Sequence, residues 1–394
     1  MKYADRALAI QPSATLAINA KAKELQSKGI KVISFGAGEP DFDTPDYIKA
    51  ACKKSLDAGF TKYTASEGIP GLIDGIIASL KRDIGVAFEK NQICTAIGAK
   101  HAIYAILLVT VNPGDEVIIP SPYWVSYIEM VAMAGGKPVI VDTDESTGFK
   151  MTGEMLKEKI TKKTKAVILN SPSNPTGAVY NRQELQSLVN VLENQDILVI
   201  SDEIYDKLIY DGEKHLSIVQ LSEKILEKTV IINGLSKSYS MTGWRVGYAA
   251  GPKEIISLMK NWISHSTSMV TSFVQQASVE ALNGDQSFID GWVKTYQERR
   301  DVLVEGLNQI PGLTCLKPQG AFYVYPSIHG LIGKTFGNKV INNAMDLAGY
   351  LLEDHQVAIV PGEAFGNTQN FRMSFATSME NIKEGLVRIK KALS

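Results

Sequence analysis

Short runs of valine and isoleucine alternate along this chain with longer amphipathic segments. The runs are apolar at successive positions, as in strands that are buried on both faces of a parallel sheet. They occupy 116–119, 166–169, 197–200, 230–232 and 246–249. Helical patterns lie between them at 101–111, 123–134, 182–193 and 254–264. This alternation predicts a doubly wound α/β domain, with a mostly parallel sheet between helices.

A second, smaller domain is expected from the two ends of the chain. The segment 36–45 is dense in glycine, proline and aspartate, and charged helical patterns resume after about residue 288. A chain of 394 residues is long enough for two hydrophobic cores. The sequence predicts a large domain over 46–287 and a smaller α+β domain formed by 1–45 and 288–394.

Charge and residue counts narrow the classes of ligand. The 41 basic and 42 acidic residues nearly balance, so neither nucleic acid nor an anionic membrane is an expected partner. Cys52, Cys94 and Cys315 lack CxxC spacing and the histidines lack HExxH or HxH spacing, which predicts no disulfide framework and no metal site. The amino terminus lacks the apolar core of a secretion signal, and the longest apolar stretch is too short to span a bilayer. We expect a cytoplasmic protein that acts on a small molecule.

Lys237 follows the buried run 230–232 and lies between Ser236 and Ser238. A lysine at the end of a buried strand is well placed for Schiff-base chemistry. Arg245 offers a fork of donors suited to a phosphate, and Ser236 adds a hydroxyl group. An amine beside a phosphate site suggests pyridoxal phosphate, although an isolated pair of this kind is also consistent with surface charges.

Polar residues also follow two other predicted strands. Asn174 lies in the loop after 166–169, and Asp202 and Tyr205 follow 197–200. Because ligands of open α/β sheets bind beyond the carboxyl ends of the strands, we expect these loops to meet. A carboxylate at Asp202 would keep a pyridine nitrogen protonated, while Tyr205 and Asn174 are candidates for the ring oxygen. Taken alone, Asp202 is also consistent with a helix cap and Asn174 with a turn.

A phosphate site is predicted where a helix follows the apolar segment 93–97. Gly98, Ala99 and Lys100 open this helix, and main-chain amides at a helix start bind anions. Trp124 is a candidate for stacking on the pyridine ring, although an aromatic side chain after a proline turn is equally consistent with core packing.

The segment around Lys237 resembles the lysine motif of fold-type I pyridoxal-phosphate enzymes, and 241–245 (MTGWR) resembles the class I aminotransferases. The resemblance runs from about Pro12 to the carboxyl terminus. It favours the bacterial and archaeal-type branch of the aspartate aminotransferases over the animal-type branch. It implies pyridoxal 5'-phosphate as cofactor, Lys237 as the catalytic residue, and a homodimer in which a neighbouring subunit supplies Tyr63 to the phosphate.

The resemblance also implies how a substrate is held. Gly38 and Arg372 match the family's α-carboxylate site, where a guanidinium binds a carboxylate through two hydrogen bonds. Ser13, Thr15 and Lys100 resemble the residues with which the family binds the distal carboxylate of a substrate.

For other candidate site residues, the sequence allows more than one role. Trp124 and Asn174 are expected to contact substrate as well as cofactor. From the residues alone, Arg372 is also consistent with a solvated strand position and Lys100 with a solvated helix position. One departure from the family pattern is Gly234, where many relatives carry a hydroxyl residue. One bond to the phosphate is therefore expected to be missing or replaced by water.

The implied activity is reversible transfer of an amino group between L-aspartate and 2-oxoglutarate, giving oxaloacetate and L-glutamate by a ping-pong mechanism. Several alternatives stay open at this point. They are an aminotransferase for prephenate, aromatic amino acids or alanine, another fold-type I enzyme such as a β-lyase, and a non-catalytic binding module that keeps the fold.

Overall fold

The computed structural model describes residues 1–8, 10 and 14–394, apart from the side chains of 5, 6, 14–17 and 19. The strands are β1 (Ile33–Ser34), β2 (Ile93–Ala96), β3 (Glu116–Ser121), β4 (Lys137–Asp142), β5 (Thr164–Asn170), β6 (Leu198–Asp202), β7 (Thr229–Gly234), β8 (Gly247–Ala250), β9 (Tyr323–Val324), β10 (Thr335–Phe336), β11 (Lys339–Val340), β12 (Val357–Ala358), β13 (Val360–Pro361) and β14 (Phe371–Ser374). The helices are α1 (Asp5–Leu8), α2 (Ala14–Ser27), α3 (Asp46–Asp57), α4 (Pro70–Ile84), α5 (Ala99–Thr110), α6 (Ser126–Met133), α7 (Gly153–Lys159), α8 (Arg182–Leu192), α9 (Glu223–Leu226), α10 (Lys253–Ser266), α11 (Ser272–Asn283), α12 (Ser287–Asn308), α13 (Ala344–His355) and α14 (Met379–Ala392).

A seven-stranded sheet in the order β2-β8-β7-β6-β5-β3-β4 forms the centre of the fold. Strands β4, β3, β5, β6 and β7 are parallel, and β8 is antiparallel to both of its neighbours. The prediction of an α/β fold with a mostly parallel sheet is confirmed. The carboxyl ends of β5, β6 and β7 therefore lie at one edge of the sheet.

Alternate side chains of the sheet enter two hydrophobic layers. In β3, Ile118 packs with residues of α4 and α8, whereas Val117 and Ile119 pack with residues of α5 and α10. Successive side chains of a strand point to opposite faces, so both layers draw on the same apolar run. This two-sided burial explains why the predicted strands lack an apolar–polar alternation.

Strand β4 and helix α6 differ from the sequence prediction. Strand β4 was not predicted, because it is an edge strand, begins at an exposed lysine and ends at an exposed aspartate. Helix α6 begins at Ser126, three residues after the predicted start at 123. Residues 123–125 instead belong to the loop that presents Trp124.

A second hydrophobic core lies away from the sheet. It contains Ile33 and Phe35 from the amino-terminal part together with residues of α12, α13 and α14, and β1 pairs in parallel with β12. Tyr205 and Tyr210, from the segment after β6, also pack into this core. The domain limits at residues 46 and 288 stay a prediction. Within the described part of the chain, no helix combines the length and the apolarity needed to cross a bilayer.

Candidate active site

Lys237 lies in the segment after β7, with its amine directed at the amino-terminal part of the chain. Its Nζ donates a hydrogen bond of 2.5 Å to the carbonyl oxygen of Gly38. Burial lowers the pKa of Lys237 to about 8; the charge of Glu39 opposes this shift, and the charges of Arg372 and Arg245 add to it. A lowered pKa raises the fraction of neutral amine near pH 7, and the neutral amine is the nucleophile.

Gly98 and Arg245 form a cradle at the start of α5. The φ angle of Gly98 is +95°, and a Cβ atom there would lie 2.4 Å from Nη2 of Arg245. A Cβ at Gly247 would lie 2.3 Å from the amide nitrogen of Ala99. The first amides of a helix lack acceptors within the helix, so these glycines keep a guanidinium and free N–H groups side by side. Among the described residues, no carboxylate lies within ion-pair distance of Arg245.

Gly234 is explained by the packing of the sheet. It pairs with Gly247 across β7 and β8, and a Cβ at Gly234 would lie 2.8 Å from the carbonyl oxygen of Val246. A hydroxyl side chain has no room here unless the strands move apart. The missing bond to a phosphate stays a prediction, as does the role of the buried Ser236.

Asp202 ends β6 and is 3% exposed. One carboxylate oxygen accepts a 2.5 Å hydrogen bond from the Tyr127 hydroxyl, and the other accepts from the amide of Ile204 at 3.3 Å. Burial raises the pKa of Asp202 to about 6, against the lowering effect of the bond from Tyr127. The segment directly after β6 is a turn over 204–207 and not a helix, so Asp202 is not a helix cap. No cation of the described residues pairs with it, and a buried carboxylate of this kind is stabilised by a bound cation.

Arg372 lies in β14 and is only 2% exposed, which excludes a solvated strand position. Its Nη1 donates to Oδ1 of Asn174 at 2.9 Å, and its Nη2 donates to the carbonyl oxygen of Gly36 at 3.0 Å. Its buried Nε has no hydrogen-bond partner among the described residues. A buried guanidinium with an unused N–H group and no carboxylate partner is suited to binding the carboxylate of a ligand.

Tyr205 and Tyr323 form a buried pair of phenols beside Arg372. Their hydroxyl oxygens are 2.9 Å apart, and the Tyr323 ring lies 4.4 Å from the guanidinium carbon of Arg372. The sequence prediction included Tyr205 but missed Tyr323 and Tyr127. Both lie in apolar segments, where a tyrosine is indistinguishable from a core residue.

Lys100, in the first turn of α5, contacts Trp124. The Nζ atom of Lys100 lies 4.9 Å from the centre of the Trp124 ring, and this ring packs edge-on against Tyr127. Burial lowers the pKa of Lys100, with a further contribution from Arg245. Among the described residues, no carboxylate pairs with the Lys100 amine.

Three predicted residues are not placed in the site. Tyr63 is 88% exposed and lies on the surface of this chain. Ser13 lies outside the described residues, and so does the side chain of Thr15 in α2.

The arrangement fits pyridoxal phosphate. Gly98, Arg245 and the start of α5 offer an anion cradle, and Lys237 provides an amine with a lowered pKa. Asp202 is a buried carboxylate without a cation, as the protonated ring nitrogen of this cofactor would require. In the described part of the chain, no cluster of three or more histidine, cysteine or acidic side chains is arranged to hold a metal ion.

Comparisons with known proteins agree with this geometry. Residues 30–389 match the family described as aminotransferase class I and II. The chain is 49% identical to the aspartate aminotransferase of Bacillus subtilis, over 99% of this chain and 98% of that protein. It is 48% identical to the aspartate/prephenate aminotransferase of Cereibacter sphaeroides, over 97% of this chain and 96% of that protein. The crystal structure of the aspartate aminotransferase from Rhizobium meliloti superimposes with a TM-score of 0.97 at 44% identity, covering 100% of this chain and 99% of that one.

These findings confirm the resemblance derived from the lysine motif and the expected fold-type I architecture. They also establish pyridoxal 5'-phosphate as the cofactor, with amino acids and 2-oxo acids as the substrate classes, and they exclude a mere chance match of the motif. The chain belongs to the class I and II aminotransferases, which are pyridoxal-phosphate-dependent transferases.

Proposed function

We propose that this protein is an aspartate aminotransferase, which transfers the amino group between L-aspartate and 2-oxoglutarate. The observation that carries the proposal is a pair of cations without carboxylate partners among the described residues, the buried Arg372 and Lys100 against Trp124. A substrate with two carboxylates complements two such cations. The names of the relatives from Bacillus subtilis and Rhizobium meliloti support the same substrate.

The proposed roles of the cofactor-binding and substrate-binding residues rest on the resemblance to the family and are supported, for the described residues, by the contacts given above. The amides of Gly98, Ala99 and Lys100 would hold the phosphate with Arg245 and Ser236, and the partner subunit's Tyr63 would add a hydroxyl group. Asp202 would stabilise the protonated ring nitrogen, Trp124 would stack on the ring, and Tyr205 and Asn174 would bind the ring oxygen. Arg372 and Gly38 hold the substrate α-carboxylate, whereas Lys100, Ser13 and Thr15 hold the distal carboxylate.

Pyridoxal phosphate, when bound, supplies a protonated ring that stabilises negative charge at the substrate α-carbon. Asp202 keeps the proton on the ring nitrogen, because its buried carboxylate is stabilised by that positive charge. Arg372 fixes the α-carboxylate and so orients the α-carbon hydrogen. Lys237 removes this proton as a general base, and its lowered pKa raises the fraction of neutral amine for that task.

Half-reactions test this proposal. The purified protein, loaded with cofactor, is mixed rapidly with aspartate, glutamate, alanine or phenylalanine, and the cofactor absorbance is followed. We expect aspartate and glutamate to react fastest, with release of the matching 2-oxo acids and conversion of the cofactor to its amine form. Faster reaction with alanine or phenylalanine would contradict the substrate assignment, and no spectral change would indicate a binding module. Release of pyruvate, ammonia and a thiol from an added S-alkylcysteine, without the amine form of the cofactor, would indicate a β-lyase.

Prephenate is a second candidate substrate. The name of the relative from Cereibacter sphaeroides favours it, and prephenate, like 2-oxoglutarate, carries two carboxylates. Supplying prephenate as the amino acceptor after the aspartate half-reaction decides whether the substrate range includes it.

Replacing Lys100 by alanine is expected to lower kcat/KM for aspartate. The expected loss of transition-state binding energy is about 1.5–3 kcal/mol, the range for a hydrogen bond to a charged group. The main-chain amide stays, so phosphate binding is retained. The value for phenylalanine is expected to change less than about twofold, because phenylalanine has no distal carboxylate. Lys253→Ala, which removes an exposed lysine, is the control. Equal losses for both substrates, or none, would remove Lys100 from the specificity site.

A homodimer is part of the proposal. It is supported by the exposed Tyr63 and by the exposed side chains of Leu258 and Trp262, which share one face of α10. Sedimentation equilibrium at micromolar concentration should give twice the chain mass, and a single-chain mass would contradict it. We also propose a cytoplasmic location, which cell fractionation tests.

A further inference from the structure

Tyr323 lies between the residues proposed to bind the cofactor and the residue proposed to bind the substrate α-carboxylate. It is fully buried at the start of β9 and contacts both a candidate cofactor ligand and the candidate carboxylate ligand. Its hydroxyl oxygen is 2.9 Å from that of Tyr205, and its ring lies 4.4 Å from the guanidinium of Arg372. A Cβ at Gly38 would lie 3.3 Å from the Tyr323 hydroxyl, so this phenol also packs against the segment that accepts the Lys237 bond.

The direction of the hydrogen bond between the two phenols has a chemical consequence. A hydroxyl group has one proton to donate, although it accepts more than one bond. Whichever tyrosine donates in the 2.9 Å contact has no proton left for another acceptor. If Tyr205 donates to Tyr323, its proton is unavailable to the cofactor.

We propose that Tyr323 is a positioning residue, which donates its hydrogen bond to Tyr205 and thereby directs the Tyr205 proton toward the ring oxygen of the cofactor. This inference rests on the role of Tyr205 in the proposed function. A phenol that accepts a hydrogen bond is a stronger donor in turn, because the two bonds polarise each other.

The surroundings of the two hydroxyl groups favour this direction. Burial raises the pKa of Tyr323, and the stacked Arg372 guanidinium opposes that rise. Burial raises the pKa of Tyr205 well above its usual value, the neighbouring Tyr323 adds to the shift, and the charge of Arg372 opposes it only in part. The Arg372 guanidinium lies 4.4 Å from the Tyr323 ring and makes no such contact with the Tyr205 ring, so it favours Tyr323 as the more acidic phenol of the pair. The more acidic phenol is the better donor, and the proposed direction is therefore from Tyr323 to Tyr205.

The test is a spectral pH titration of the cofactor-loaded, substrate-free protein. The absorbance reports protonation of the linkage between Lys237 and the cofactor, which shares its proton with the ring oxygen. A donor on that oxygen lowers its basicity, so weakening Tyr205 raises the midpoint pH. We expect Tyr323→Phe to raise the midpoint by about 0.3–1 pH unit, equivalent to a fraction of one hydrogen bond. Tyr205→Phe should raise it further.

The double variant provides the decisive comparison. If Tyr323 acts through Tyr205, the variant with both tyrosines replaced by phenylalanine has the same midpoint as Tyr205→Phe alone. Tyr325→Phe is the matched control, because Tyr325 is a buried tyrosine of the same segment whose hydroxyl has no partner among the described residues. Its midpoint should equal that of the unmodified protein.

Two results would overturn the inference. They are an unchanged midpoint in Tyr323→Phe and shifts that add in the double variant. If Tyr323→Phe does not fold, Tyr323→Met fills a similar space and removes the same hydroxyl group. The titration needs no amino acid substrate, so failure of the aspartate half-reaction and failure of this inference are distinguishable.

Discussion

Lys237→Ala is expected to abolish turnover, with a loss in kcat of roughly 10⁴-fold or more, since it removes both the nucleophile and the general base. The neighbouring Ser236 and Ser238 have no amine, and the Lys100 amine lies against Trp124. No other amine of the described site is placed to replace Lys237.

Two measurements check this result. Single-turnover kinetics with aspartate give the loss in rate, and borohydride reduction followed by peptide mass analysis locates the covalently held cofactor. The unmodified protein should carry the cofactor on Lys237, and the variant should carry none. The exposed Lys253→Ala is the control and should keep both properties. A variant with near-normal turnover and a reducible cofactor adduct would show that another group is the catalytic amine.

Asp202→Asn is expected to slow the aspartate half-reaction by about 10²–10³-fold, the loss typical when a preorganised electrostatic contact is removed. The amide cannot stabilise a protonated ring nitrogen, so the ring holds negative charge less well. Its oxygen still accepts the bond from Tyr127, so folding and cofactor binding should change less than the rate.

Stopped-flow absorbance separates the two effects, because cofactor affinity and the single-turnover rate are measured on the same sample. Asp142→Asn is a matched control, since Asp142 ends β4 at the same edge of the sheet but is exposed. An unchanged single-turnover rate in Asp202→Asn would leave that residue a purely structural role.

The apolar runs predicted the interior strands closely, because a strand buried on both faces has no polar position to break the run. The edge strand β4 was not predicted because its first and last residues are exposed to water, so its apolar run is short. The reactive groups Lys237 and Asp202 were also predictable. Each lies at or shortly after the carboxyl end of a buried strand, and the carboxyl ends of parallel strands share one edge.

Partners distant in the chain were not predictable. Tyr127 bonds Asp202 across 75 positions, Tyr205 bonds Tyr323 across 118, and Arg372 bonds Asn174 across 198. The burial of Arg372 likewise depends on aromatic side chains from other segments, such as Tyr323 and Phe365.

By itself, the sequence determined the fold class, the strand-end positions of the reactive groups and the family, because these depend on local burial patterns and on a contiguous motif. Only the tertiary structure decided which polar atoms meet. The order of strands in a sheet is not encoded in their spacing, and the hydrogen-bond partner of a buried phenol or guanidinium is set by that order and by packing.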